Sequence, residues 1–162
     1  MGNLTSQLFA NIYMNELDQY VKNSMGIKYY IRYTDDFVII HHDEAYLRKI
    51  IFEIASFLNK NLRLNLHPRK VSVRKANQGI DYLGYIVFPH FTLLRTRTKK
   101  RLLKNISNKI IKCQKRDDSY FSLVQTVASY SGILNHCRGF GIHKDMASRL
   151  NQFEIYDLYD KI

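Results

Sequence analysis

The sequence predicts an α+β fold: an antiparallel sheet with helices, followed by a three-helix bundle. Three observations carry this. Residues 28–40 set two runs of aromatic and β-branched residues on either side of Asp35-Asp36, the pattern of strand, tight turn and strand. Residues 78–94 read as a second strand pair broken at Pro89-His90. From Thr98 onward the apolar residues recur with a helical period.

The elements follow in order. Phe9, Ile12, Tyr13, Leu17, Tyr20 and Val21 fall on one face of a helix ending near Met25-Gly26. Residues 2–7 ahead of it read as a glycine-containing loop with Thr5 or Ser6 as N-cap. After the hairpin, Asp43 can cap a helix whose stripe is Leu47, Ile50, Ile51, Ile54, Phe57 and Leu58. Leu62, Leu64 and Leu66 alternate with Arg63 and Asn65, which predicts a half-buried strand ending at His67-Pro68. His67 itself reads as a turn residue. Residues 78–89 predict a strand with Gly84 at a bulge or close approach, and residues 91–94 its return.

In the helical part, Leu102 or Leu103, Ile106, Ile110 and Cys113 form one stripe, with Lys99, Lys100, Lys104, Lys109, Lys112 and Lys115 around it. A second helix, capped by Asp118 or Ser119, presents Val124, Val127, Ala128, Ser131 and Leu134. A third runs from about His143 to Tyr156.

The 162 residues, 46% hydrophobic and 13% aromatic, suffice for one folded, soluble domain, with or without a small appendage. The longest apolar runs fall far short of the roughly 20 residues of a membrane helix, and no secretory signal opens the chain. Cys113 and Cys137 lack metal-ligand spacing and read as buried thiols, which fits a cytoplasmic location. Net charge is +11, and it is regional: residues 60–116 hold 16 Lys and Arg against one acid, Asp81. A generic basic surface would account for that density. Beside an acidic hairpin, however, it is the pattern for holding a polyphosphate backbone near a cation.

Two adjacent carboxylates repel unless they face solvent, cap a backbone or bind a cation. Thr34-Asp35-Asp36 is ordinary turn chemistry, but at a hairpin tip both carboxylates can face a divalent ion such as Mg²⁺. Tyr33-Thr34-Asp35-Asp36 between two apolar strands resembles the Tyr-x-Asp-Asp motif of reverse transcriptases. Upstream, Gly2-x-x-x-Ser6-Gln7, Ala10-Asn11-Ile12-Tyr13 and Leu17-Asp18 are similar to the segment preceding that motif in bacterial reverse transcriptases. The Ser6-Gln7 ending resembles the enzymes of diversity-generating retroelements rather than those of group II introns and retrons. Tyr82-Leu83-Gly84-Tyr85 resembles the primer grip, and Ser129-Tyr130-Ser131-Gly132 with His136 resembles a thumb motif.

The resemblance implies a partial polymerase palm over residues 1–97 and a helical thumb over 98–162. It implies two-metal nucleotidyl transfer onto a primer 3′-hydroxyl with Mg²⁺, an RNA template, a DNA primer duplex and nucleoside triphosphates. Asp35 would be the direct metal ligand and Asp36 the second carboxylate. Gly2, Ser6, Gln7, Tyr33 and Lys70 would line the nucleotide and template. Tyr82, Leu83 and Gly84 would grip the primer, and Lys99, Lys100, Lys104 and Lys109 would contact the nucleic-acid backbone.

The start of the chain departs from the family, which has fingers and an earlier palm strand with another metal-binding aspartate. The expectation is a C-terminal portion that is inactive alone and needs the N-terminal fingers and palm region as partner. A non-catalytic nucleic-acid-binding remnant and a metal-dependent nuclease are the alternatives. The order of hairpin, grip and basic bundle disfavours the nuclease.

Overall fold

Residues 4–151 are described by a computed structural model; Gly2 and the expected end of the third helix lie outside them. The elements are α1 (Leu4–Gln19), β1 (Tyr30–Tyr33), β2 (Asp36–Ile39), α2 (Glu44–Leu62), β3 (Ile80–Tyr82), β4 (Tyr85–Val87), β5 (Thr92–Leu94), α3 (Thr96–Gln114), α4 (Tyr120–Leu134) and α5 (Phe140–Asn151). The class is α+β as expected, with one two-stranded and one three-stranded antiparallel sheet among the described residues. The chain divides into two compact units, Met1–Val73 and Arg74–Ile162.

In the first unit, Leu17, Val21 and Ile27 pack with Ile50, Ile54, Leu58 and Leu62 of α2. The four α2 residues recur every fourth position, one stripe of a helix, and each buried side chain contributes about 1.5–3 kcal/mol. Asp43 caps α2 as expected, its carboxylate accepting from the N–H groups of Ala45 (2.8 Å) and Tyr46 (3.3 Å). The predicted strand at residues 62–66 does not form. Leu62 continues the helical stripe, Arg63 takes a left-handed C-cap conformation (φ 51), and the Leu64 N–H returns to the Leu58 carbonyl at 3.0 Å. Leu66 still packs on this core, so the alternation of leucines comes from a helix end and a loop.

The first helix also differs from expectation. It already runs at Leu4, so Thr5 and Ser6 lie within its first turn rather than at its cap. Only the C-terminal part of its apolar face is covered: Leu17 and Val21 are buried, while Phe9 is 67% and Ile12 60% exposed. Its last turn widens into a π-turn, Tyr20–Ser24, which carries Tyr20 onto Phe57 in a parallel stack with ring centroids 4.0 Å apart.

The second unit opens with a short 3₁₀ turn, Ala76–Gln78, and a three-stranded meander in the order β3-β4-β5. Residues 78–89 are not one strand with a bulge. Leu83 (φ 52) and Gly84 (φ 86) form a two-residue loop between the paired Tyr82 and Tyr85, and positive φ at both positions marks the turn that matches strand twist. The meander docks on the bundle through Tyr85 Oη, which donates to the Ile133 carbonyl (3.1 Å), and through the Arg138 N–H, which donates to the Thr92 carbonyl (2.8 Å).

Helices α3, α4 and α5 pack mutually around Leu102, Leu103, Ile106, Ile110, Leu123, Val127, Leu134, Ile142, Met146 and Leu150. The α3 stripe is as expected, starting two residues earlier at Thr96. On α4 the buried face is rotated: Leu123 is buried and Ala128 is exposed, because Leu123, Val127 and Leu134 follow the helical repeat more closely than the smaller residues do. Ser119 is its N-cap, accepting from the Ser122 N–H at 3.1 Å. Cys113 and Cys137 are half-buried against this core, and burial pushes both thiols up, away from the reactive thiolate. Among the described residues no helix is long and apolar enough to cross a membrane.

Candidate active site

The hairpin is short and tightly defined. Tyr30 pairs with Ile39, Ile31 with Val38, Arg32 with Phe37 and Tyr33 with Asp36, leaving Thr34-Asp35 as a two-residue loop. Residues opposite one another share a face, so the alternation sorts the hairpin into two surfaces. Tyr30, Arg32, Phe37 and Ile39 form one, with Tyr30, Phe37 and Ile39 joining the core. Ile31, Tyr33, Asp36 and Val38 form the other, where Ile31 is 56% and Tyr33 59% exposed. Two large apolar side chains thus face outward while an arginine faces inward, the reverse of ordinary strand patterning.

An inward arginine must be paired. Arg32 makes a bidentate contact with Asp18 of α1, Nε donating to Oδ1 (2.8 Å) and Nη2 to Oδ2 (2.6 Å). Tyr30 Oη donates to the same Oδ1 at 2.7 Å. The third nitrogen, Nη1, donates to the Thr34 carbonyl at 2.7 Å and to Asn11 Oδ1 at 3.2 Å. The Arg32 guanidinium beside Asp18 holds that carboxyl below its usual value, with the Tyr30 hydroxyl adding to the effect. Burial, and then the negative Asp18, push the Tyr30 phenol well above its usual range.

Thr34 sits in left-handed backbone (φ 54), a conformation that costs a non-glycine residue about 1–3 kcal/mol and persists only where its surroundings impose it. Its hydroxyl lies 2.8 Å from the Tyr33 carbonyl, to which it donates, and 3.0 Å from Asp35 Oδ1. Asp35 follows at the tip and Asp36 opens β2; both are exposed. Among the described residues neither carboxylate is neutralised by an ion pair. Two bare carboxylates at one tip suit Mg²⁺, a hard ion that takes oxygen donors and is commonly held by one or two carboxylates plus substrate phosphates. No group of three potential ligands exists among the described residues.

The family described as Reverse transcriptase (RNA-dependent DNA polymerase) matches residues 1–87, more than half of the chain. The chain belongs to the reverse transcriptase family. It is also 30% identical over 79 residues to the "Putative COX1/OXI3 intron 2 protein" of Saccharomyces cerevisiae, a match covering 43% of this chain and 9% of that protein. The match thus covers less than a tenth of the length of that relative.

The other predicted residues of this reverse transcriptase chain that lie among the described ones fall into four places. Ser6 and Gln7 are exposed on the first turns of α1, and Lys70 is exposed at a turn, its N–H on the His67 carbonyl at 2.9 Å. Tyr82, Leu83 and Gly84 lie together at the β3–β4 loop of the second unit, and the Gly84 carbonyl accepts from the Arg95 N–H at 3.0 Å. Of the four lysines on α3, two have acidic partners: Lys99 with Asp145 (3.1 Å) and Lys109 with Asp118 (3.0 Å). Lys109 also donates to Ser122. Lys100 and Lys104 are exposed, as are Arg101, Lys112 and Lys115, and among the described residues none of these five has an ion pair. Arg101, Lys104, Lys112 and Lys115 fall on one side of the helix by its period.

The group around Asp18 is what residue patterning missed. The sequence signal was available: Arg32 occupies the same strand parity as Tyr30, so an inward tyrosine entails an inward arginine that needs a carboxylate.

Proposed function

We propose that this chain supplies the catalytic hairpin and the duplex-holding part of an RNA-directed DNA polymerase that adds nucleotides to a primer 3′-hydroxyl. The supporting observation is the pair of exposed, un-neutralised carboxylates, Asp35 and Asp36, at the tip of a hairpin whose outer face carries Tyr33. Asp35 is the principal Mg²⁺ ligand and Asp36 the second. Bound there, Mg²⁺ supplies Lewis-acid activation and charge neutralisation in a two-metal phosphoryl transfer. Tyr33 presents its ring to the primer end, and Ser6, Gln7 and Lys70 serve the incoming triphosphate and template. Tyr82, Leu83 and Gly84 grip the primer. Residues 1–97 act as palm and 98–162 as thumb.

The basic face of α3 holds the primer–template duplex by its phosphates, which positions without reading sequence. Lys100 and Lys104 are its available members among the lysines singled out by sequence, and Arg101, Lys112 and Lys115 extend it. Ser6-Gln7 favours a bacterial enzyme of a diversity-generating retroelement working in the cytoplasm. In this reading the metal site takes a third carboxylate that is not among the described residues, and the chain by itself is expected to be inactive.

Primer extension with Mg²⁺ and nucleoside triphosphates tests this on the chain alone and on a polypeptide that includes the natural upstream region. Synthesis is expected only in the latter, and Asp35→Asn should lower it at least about a thousandfold, the loss of roughly 4 kcal/mol of transition-state stabilisation. Asp35-independent synthesis would overturn the assignment. Duplex binding without synthesis in either protein would favour the non-catalytic remnant.

A further inference from the structure

We propose that Arg32 is a positioning residue for the catalytic hairpin: it ties the carbonyl of Thr34, and with it the turn carrying Asp35, to helix α1. The inference rests on Asp35 and Asp36 being the metal-binding carboxylates. Its basis is the way one guanidinium spends its edges. Nε and Nη2 are fixed in parallel on the two oxygens of Asp18, and Nη1 is left to reach both the Thr34 carbonyl and Asn11. Asn11 and Asp18 stand seven residues apart, on one face of α1 and separated by two turns. The guanidinium therefore bridges two helix turns on one side and the hairpin turn on the other.

The arrangement is rigid. Only 10% of the Arg32 side chain is accessible, and two parallel donors hold it on both oxygens of Asp18. The group held is the one that needs holding, because Thr34 carries the left-handed backbone of the loop and its neighbour Asp35 is the tip. Without a donor on the Thr34 carbonyl the turn can relax, and a displacement of about 1 Å at a reacting centre can cost on the order of a hundredfold in rate. Joining the hairpin to α1 would require only an ion pair, which lysine could make. Serving Asp18 with two parallel donors and Thr34 with a third requires the planar fork of arginine.

The test compares Arg32→Lys, Tyr30→Phe and Asp35→Asn in the full-length polymerase, by primer extension over a Mg²⁺ titration and by thermal melting. Arg32→Lys should lower kcat by about 10- to 100-fold and raise the Mg²⁺ concentration for half-maximal rate, with nucleotide KM little changed. Tyr30→Phe, which loses a bond to Asp18 but leaves Nη1 on Thr34, should melt lower and keep its kcat and Mg²⁺ requirement.

Unchanged kcat and Mg²⁺ dependence in Arg32→Lys would overturn the proposal. So would rate losses in both Arg32→Lys and Tyr30→Phe that only follow the fraction unfolded. Nitrogen-15 NMR of the unmodified protein decides even if Arg32→Lys does not fold. Resolved, non-averaged Arg32 Nη–H signals that broaden on adding Mn²⁺ are expected, and a single averaged guanidinium signal would overturn the proposal. An active Asp35→Asn would instead sink the hairpin assignment itself, whereas an inactive Asp35→Asn beside a fully active Arg32→Lys would sink only the positioning role.

Discussion

Tyr33 and Asp36 form the last rung of the hairpin, directly opposite each other on its exposed face, with Thr34-Asp35 closing the loop beyond them. Opposed residues of an antiparallel pair stand about 4.5–5.5 Å apart at Cβ, so the Tyr33 side chain starts beside the Asp36 carboxylate. Because the ring is 59% exposed, removing it costs little packing. Tyr33→Ala should lower the rate of single-nucleotide addition by about tenfold or more, equivalent to about 1.4 kcal/mol of transition-state binding, with melting almost unchanged. Tyr33→Phe keeps the ring and should stay within about threefold. Pre-steady-state extension and melting on the same preparations check both.

The Asp18–Arg32–Tyr30 group predicts two pH limits. The folded Asp18 carboxyl lies below its ordinary 3.8, chiefly through its hydrogen bonds with Arg32, so it contributes stability that is fully present above that value. That contribution is lost as pH falls through the lower folded value. The Tyr30 phenol is raised above its ordinary 10.0, first by burial and then by Asp18, so its contribution is present below pH 10 and lost as pH rises through the folded value. Urea unfolding from pH 2 to 11 should show the acid fall and the onset of the alkaline one. Asp18→Asn should flatten the acid limb and Tyr30→Phe the alkaline limb.

These residues also show what is legible in the sequence and what is not. Asp35-Asp36, the hairpin around them, the Asp43 cap and the α3 stripe follow from local rules, because turn chemistry, capping and helical period act over a few residues. Leu62 to Leu66 mimics a strand because a leucine at every second position satisfies a strand period, yet Leu62 is also the next step of the 50-54-58 helical stripe and tertiary burial favours the helix. The Leu83-Gly84 turn is hidden because a leucine at φ 52 is not a residue that turn rules anticipate. Strand parity turns Arg32 inward, but its pairing with Asp18 in particular, fourteen positions away, is a product of packing that no periodicity encodes.

Gly79 and Gly132 should respond in opposite ways to alanine. Gly79 has φ 79, and a Cβ there would fall 2.5 Å from Ile86 Cγ2 and 2.8 Å from Phe88 Cζ, at the open end of the β3–β4 pair. Gly79→Ala should destabilise the protein by about 2–4 kcal/mol through backbone strain and overpacking. Gly132 lies inside α4, and a Cβ there would meet nothing within 4 Å, so Gly132→Ala should gain about 0.5–1 kcal/mol from helix propensity. Chemical denaturation separates the two.

The charges on α3 should divide into those that bind nucleic acid and those that hold the bundle. Lys100, Arg101 and Lys104 are exposed and without acidic partners among the described residues, whereas Lys109 joins α3 to the Asp118 and Ser122 region at the start of α4. Each phosphate neutralised on duplex DNA adds about 0.9 to the slope of log affinity against log salt. If these three side chains each meet one phosphate, Lys100→Gln, Arg101→Gln and Lys104→Gln combined should reduce the slope by about 2–3 and weaken binding alike for every sequence, leaving melting unchanged. Lys109→Gln should behave otherwise. It strips Asp118 of the cation whose hydrogen bond holds that carboxyl low, so the variant should melt lower while its salt slope falls by less than one. Fluorescence anisotropy on a labelled duplex from 50 to 300 mM salt, beside thermal melting, measures both quantities, and equal slope losses from Lys109 and from each exposed residue would show that the intramolecular pair does not withhold its charge.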